Sequence, residues 1–440
     1  MTRTSCTSTM TRALAVSLVA IALGSQASRA QQANASAAAL GMNNNYVAAG
    51  QGLDAVAWNP AMLGISRNPA FSINLLTPSG VAGLDPVSWN DFMQFAKKDD
   101  SIPTATRHAW LNSVTATGGE NGHQAGAMNW LGLSLGPVAL QVSTSEAMAT
   151  KLNPDVFEAL MFGNVGATGS PQDLNFAGSN LRLGAFTTGA LSYALSFGGS
   201  GVGPSGAQSS IGVTAKYVLG NFLMIGADHG STITADSVTI NFPIVMTNTD
   251  SLSNNLTKNG SGFGVDVGYA WRSDRLTVSA VAQNVVNSFK WDVSQLRSRP
   301  GTATFNGTTN STSFDEASYA SAPLALQQLV SEYTFKPSAL VGIGYQLNRL
   351  TLVTLDAHQQ MGDDNSILIG PKTQVGGGLE FRGIPLLPLR AGASYVTGGW
   401  SASAGVGLSL LGYELGVAGL LGHRDGGNEN GLLISLLSIR

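Results

Sequence analysis

Large apolar side chains alternate with glycine along the second half of this chain, and few folds accept that pattern. In 262–271, Phe263, Val265, Val267, Tyr269 and Trp271 fall on one face of an extended backbone. Gly262, Gly264, Asp266, Gly268 and Ala270 fall on the other. A period of two is the mark of a β-strand. The pattern returns at Val341, Ile343 and Tyr345 against Gly342, Gly344 and Gln346, and at Val406, Leu408 and Leu410 against Gly405, Gly407 and Ser409. Val213, Ala215, Tyr217 and Leu219 alternate likewise with Thr214 and Lys216. A soluble β-sandwich turns its apolar face inward and covers the outer one with Lys, Glu and Thr. Here the second face is small or nearly bare. Strands that meet lipid on one side and a lumen on the other have this character. Such a sheet must close on itself, because hydrocarbon satisfies no open edge.

Composition agrees. The 440 residues include 54 glycines, and only 11% of the chain is charged, against roughly 25% in ordinary soluble domains. Low charge beside ordinary apolar content excludes disorder. Glycines without a three-residue period exclude collagen. A formal charge of −3 with no basic cluster excludes nucleic acid as a partner. Arg3 and Arg12 precede or open the uncharged run 13–23, and Ser28-Arg29-Ala30 offers small residues for cleavage. Residues 1–30 therefore read as a signal peptide removed on export. Cys6, the single cysteine, would leave with it, so neither a disulfide nor a cysteine-bound metal is expected. No later run is long and apolar enough for a transmembrane helix. Composition alone leaves a large secreted β protein and an outer-membrane barrel; the two-faced alternation selects the barrel.

Alternation and turn signals place strands near 69–77, 127–135, 137–145, 186–197, 209–219, 222–235, 238–247 and 262–271. Others follow near 275–284, 337–346, 350–358, 373–382, 387–396, 400–410, 412–421 and 430–439. The expectation is an all-β, transmembrane antiparallel β-barrel of 14–16 strands, the number being even. Short links fall at 136–137, 272–274, 347–349 and 411–412; long ones at 78–126, 146–185, 248–261, 285–336, 359–371 and 422–429. With the first strand rising from the periplasm, every one of those short links lies inside and every long one outside, as bacterial barrels require. Gly220-Asn221 and Thr397–Gly399 are short yet fall outside, so a misreading there would remove strands. Short helices are expected in the extracellular loops. Ser88 caps one, with Asp91 at its third position. Asn153-Pro154 opens a second, with proline at the first helical position, and Ala322-Pro323 opens a third through Leu326, Leu329 and Val330.

Ahead of the strands, 31–40 reads as a flexible lead. A turn-rich unit follows, from Gly41-Met42-Asn43-Asn44-Asn45 to Trp58-Asn59-Pro60-Ala61-Met62-Leu63-Gly64. Here the chain resembles the FadL-like outer-membrane barrels. Asp54-Ala55 followed by Trp58-Asn59-Pro60-Ala61 matches their opening pattern, with Met62 where glycine is commoner. Phe162-Gly163-Asn164 after a proline-led helix, Gln283-Asn284 with Trp291, and 388–392 are similar to segments of uncharacterised FadL-like and PorV-like relatives. The resemblance implies about 14 strands with the N-terminal segment folded inside as a hatch, so the chain divides into 1–30, 31–68 and a barrel from 69 to 440. It implies Asn59, Pro60 and Ala61 as hatch residues. Proline would supply a rigid turn, and the Asn59 amide would satisfy lumen-facing backbone. It also implies passive transport of hydrophobic or amphipathic, fatty-acid-like small molecules, which bind toward the extracellular end and often leave through a lateral opening. Some barrels of this wider group serve secretion or surface attachment instead.

Signals for chemistry are sparse. His108, His123, His229, His358 and His423 show no metal-ligand spacing; Asp356 and His358 share one face of a strand. The glycine-rich 201–206 has dinucleotide-loop spacing but is followed by a strand, so it lacks the helix N-terminus that holds phosphate. Asp363-Asp364-Asn365 and Asp425-Gly426-Gly427-Asn428-Glu429 do not fit a calcium loop. No catalytic residue, metal or cofactor is expected, and an outer-membrane lipid hydrolase is the least favoured reading. The expected partners are outer-membrane lipid, a hydrophobic small molecule in the lumen and the barrel-assembly machinery, in a Gram-negative outer membrane. The chain ends Leu436-Leu437-Ser438-Ile439-Arg440, without the terminal aromatic residue that such barrels commonly carry.

Overall fold

The computed structural model describes residues 36–96, 101–170, 173–199, 206–234, 237–248, 259–305, 310–362, 365–367, 370–424 and 427–439. Residues 1–30, 201–205, 363–364, 425–426 and 440 lie outside that set. So do the signal-peptide, glycine-loop and chain-end readings that rest on them.

Fourteen antiparallel strands form the wall. They are β1 (Phe71–Asp85), β2 (Glu120–Leu135), β3 (Val138–Leu152), β4 (Asn180–Gly198) and β5 (Gln208–Ala227). Then come β6 (Gly260–Ser273), β7 (Leu276–Asn287), β8 (Ser338–Asn348), β9 (Thr351–Gln360) and β10 (Thr373–Phe381). The last are β11 (Leu389–Val396), β12 (Gly399–Leu410), β13 (Tyr413–Arg424) and β14 (Gly427–Ile439). Each pairs with the next, and β14 returns to β1 with Ile73 opposite Ile439. The ring is closed, which leaves no edge to satisfy. Among the described residues no helix is long and apolar enough to cross a membrane.

The two faces of β6 point as the alternation requires. Phe263 is 64% exposed and Val267 40%, whereas Asp266 is 2% exposed. Around the ring Leu195, Ile211, Val341, Leu355, Tyr395, Leu408 and Leu415 are also exposed, an apolar outer belt of the kind lipid stabilises.

Three readings of the sequence are corrected. The expected strands near 209–219 and 222–235 are one strand, β5. Gly220-Asn221 is a β-bulge: Phe186 faces Gly220 and Ala185 faces Phe222, leaving Asn221 as the extra residue. The stretch near 238–247 is not a barrel strand. Val238–Asn241 joins a five-stranded sheet drawn from three loops, and Ile244–Thr247 pairs beside the upper end of β5. The count is therefore 14, the lower bound. Second, 422–429 is not a long link, because β13 runs to Arg424 and β14 begins at Gly427. Third, the flexible lead expected over 31–40 fails from residue 37 onward: Ala37–Gly41 is a buried helix, α1.

The expected loop helices form at Trp89–Ala96, Pro154–Phe162 and Leu324–Glu332. Asp91 Oδ2 accepts from Ser88 N at 3.0 Å and Asn153 Oδ1 accepts from Asp155 N at 2.9 Å, so both caps satisfy helix-end groups. A further helix, Thr104–Thr117, ends on Gly118 at φ 76°, the left-handed stop that glycine permits.

β1 is longer than the sequence suggested and passes through Pro78. Its pairing with β14 is interrupted between Leu75, opposite Leu437, and Ser79, opposite Leu433. Leu76 there has φ 54°, and Pro78 has no N–H to donate. At the same height β2 bulges between Asn129 and Leu131, and β14 shifts register against β13 between Glu414 and Gly416.

Candidate functional site: the glycine-lined lumen

The small face of each strand points into the ring, and residues 36–68 lie against it. The helix α1 meets β11, β12, β13 and β14, and the turns that follow reach the remaining strands. A segment can touch every strand of a closed ring only from within.

The inward glycines are where it touches. A Cβ on Gly416 would stand 2.8 Å from Ala37 Cβ, one on Gly378 2.8 Å from Met42 Cβ, and one on Gly342 2.9 Å from Val47 Cβ. At Gly392 a Cβ would overlap the backbone of Met42, at Gly212 that of Pro60 and Ala61, and at Gly268 the amide of Asn59. These positions are small because another part of the chain occupies the space.

Polar groups pin the segment between the glycines. Asn43 Nδ2 donates to Ser394 Oγ at 2.9 Å and to Ser401 O at 3.0 Å. Thr354 Oγ1 donates to Asn45 O at 2.6 Å, and Ser403 Oγ to Gly41 O at 3.1 Å. Asp356 Oδ2 accepts from Val47 N at 2.8 Å. Asn59 Oδ1 accepts from Ala61 N at 3.0 Å while its Nδ2 donates to Tyr269 O at 3.1 Å, so one side chain caps a turn and ties it to the wall. Pro60 takes the first position of that turn, Pro60–Gly64, and Ala61 is fully buried.

Two groups of charges on the inner face are mutually compensated, which offsets the cost of burying them. Arg390 joins Glu380 at 2.8 Å and Glu414 at 2.7 Å beside Gly41. Lys216 Nζ lies 2.6 Å from Asp266 Oδ1 and donates to Asn284 Oδ1 at 2.7 Å.

Toward the loop end the same glycine face receives aromatic rings. Phe186, Phe289, Trp291 and Phe335 are mutually packed at centroid distances of 4.9–5.6 Å. A Cβ on Gly220 would stand 2.7 Å from the Trp291 ring. Tyr333, from the loop above, donates to Ala147 O at 3.3 Å, and burial pushes its hydroxyl above the ordinary tyrosine range.

A cavity of about 20 Å³ lies where the N-terminal segment meets the wall of β7–β10. Asn44, Val47, Ala57 and Trp58 line it from the segment; Gln283, Leu340, Asp356, His358 and Gln374 line it from the wall. Asp356 and His358 share a face, as their spacing on β9 requires. Of the residues implied by resemblance, Asn59, Pro60 and Ala61 lie together against β5, β6 and β7, away from this cavity. Sequence reasoning passed over Asn43, Asn45 and Gln374. The run of three asparagines in a turn-rich stretch was the available signal.

No protein-family model matches the chain, and no curated protein matches it in sequence. Solved structures of similar shape include the CymD monoaromatic hydrocarbon channel, at 10% identity and a TM-score of 0.47 over 92% of this chain and 96% of that one. The Pseudomonas putida toluene transporter TodX is similar at 10% identity and a TM-score of 0.48, covering 92% and 98%. A FadL homologue of Pseudomonas aeruginosa is similar at 12% identity and a TM-score of 0.45, covering 94% and 98%. With TM-scores below 0.5 these are likenesses only, and the fold stands on its own strand pairing.

Proposed function

We propose that the chain is an outer-membrane barrel, not an enzyme, that passively admits hydrophobic and amphipathic small molecules. The carrying observation is the N-terminal segment seated on the inward glycines of a ring whose outer belt is apolar. An open water-filled pore needs no such occupant. A hatch excludes polar solutes, while the buried aromatic cluster fills the loop end of the lumen with apolar rings. The break between β1 and β14 supports a sideways exit into the membrane, so that a solute need not cross the whole lumen. The gradient supplies the driving force. Fatty-acid-like solutes come from the resemblance, through their apolar tails.

The test removes residues 41–64 and follows entry of a polar chromogenic β-lactam into cells that contain a periplasmic β-lactamase. Entry is expected to rise once the lumen is emptied, with barrel folding checked by heat-modifiable gel mobility. Unchanged entry through a folded barrel would show that the segment occludes nothing.

The density of wall contacts favours a second reading, a sealed barrel serving secretion or surface attachment. That reading predicts co-purification with an export complex and no effect on hydrophobic probes.

A further inference from the structure

The short turns that join β8 to β9, β10 to β11 and β12 to β13 carry large apolar residues where water-facing turns carry polar ones. Leu350 lies in the first, Ile384 and Leu386 in the second and Leu411 in the third; all are exposed, Leu411 at 90%. Backbone bonds set the turns side by side: Arg382 N donates to Leu350 O at 2.8 Å, and Ser409 N to Leu386 O at 2.7 Å. Together they form one apolar ledge at the turn end of the barrel.

Two of its leucines stand in the left-handed backbone region, Leu386 at φ 66° and Leu411 at φ 52°. Leu411 and Gly412, at φ 87°, link Leu410 to its partner Tyr413, and the first place of such a two-residue hairpin link suits Asn or Asp. The neighbouring turn, between β6 and β7, does use Asp274, at φ 47°, followed by Arg275. A leucine in that conformation is strained, and an exposed apolar side chain in water does nothing to offset the strain. The ledge also continues the outer belt without a break. On β12 and β13 the exposed residues Leu408, Leu410, Tyr413 and Leu415 lead straight to Leu411. On β6 the belt stops at Trp271, ahead of Ser273-Asp274-Arg275. Arg349, exposed in the same turn as Leu350, adds a cation at the edge of the ledge, where it would meet lipid phosphate while the leucines meet acyl chains.

Resting on the outer-membrane reading above, we propose that this ledge is a phospholipid-binding surface. The β8–β13 side of the barrel is immersed down to its turns in the leaflet on the turn side, whereas the β6–β7 turn stands in water. The barrel therefore sits deeper on one side than on the other.

The test uses single cysteines in the full chain carrying Cys6→Ser, which removes the one native cysteine. Each is labelled with bimane and reconstituted into vesicles of phosphatidylethanolamine and phosphatidylglycerol. Phospholipid with brominated acyl chains quenches only a label that touches lipid. Leu386→Cys and Leu411→Cys should be quenched several-fold more than Asp274→Cys, and as strongly as Leu355→Cys on the belt. Positions 411 and 274 share a backbone conformation, so strain does not bias the comparison, and heat-modifiable mobility checks folding. Adding Leu350→Asp and Ile384→Asp should return Leu386→Cys to the quenching of Asp274→Cys. Quenching at Leu386→Cys and Leu411→Cys no greater than at Asp274→Cys would overturn the proposal, whether a second copy shields the label or water surrounds it. If Leu355→Cys were quenched in that case, only the ledge would fall; if it too were unquenched, the membrane reading would fall with it.

Discussion

Gly268 and Gly212 have no room for a methyl group, because Asn59 and the Pro60–Ala61 backbone fill the space a Cβ would need. Gly189, with nothing within 4 Å of its Cβ position, has room to spare. Gly268 and Gly212 face inward, whereas Gly189 lies on the outer face with Leu191 and Tyr193. Gly268→Ala or Gly212→Ala should loosen the turn, raising amide exchange across 55–64 by about tenfold or more, the local-opening equivalent of ~1.4 kcal/mol. Gly189→Ala should leave exchange there unchanged. Equal behaviour of all three, measured by mass spectrometry, would mean that the inward glycines do not seat the segment. The facing of each side chain was legible, because parity fixes it once a strand is recognised. The bond from Asn59 to Tyr269 O was not, since it joins residues 210 positions apart and no local pattern records it.

Among the elements, strands with uninterrupted alternation were legible nearly end to end, as β6, β8 and β12 illustrate. Errors gathered where local chemistry imitates a turn. Gly220-Asn221 has turn composition, yet pairing on both sides carries β5 straight through and turns the extra residue into a bulge. α1 escaped notice because Ala37–Gly41 is too short to show a helical period; burial against β12 and β13 makes it a helix. The irregular seam between β1 and β14 follows from Leu76 and Pro78. Pro78→Val restores a backbone donor, so it should extend the pairing and slow hydrophobic-probe entry by roughly fivefold, one hydrogen bond's worth. Unaltered entry in a folded Pro78→Val barrel would rule out this seam as the exit.

For the whole molecule, scarce charge and abundant glycine have one cause. The outer belt is apolar and carries few charges. The inner face is occupied by the chain itself, by the N-terminal segment toward the turns and by aromatic rings toward the loops, and so has little room for side chains. The closed fold could be read from alternation and link lengths alone. The cavity could not, because it is lined from 44–58 and from four strands far along the chain. The account stands most directly on how cells producing the full chain admit two probes, compared with cells that lack it. Entry of N-phenyl-1-naphthylamine across the lipopolysaccharide leaflet should rise several-fold while entry of a polar β-lactam stays unchanged. Naphthylamine entry no faster than in cells without the protein would contradict the account.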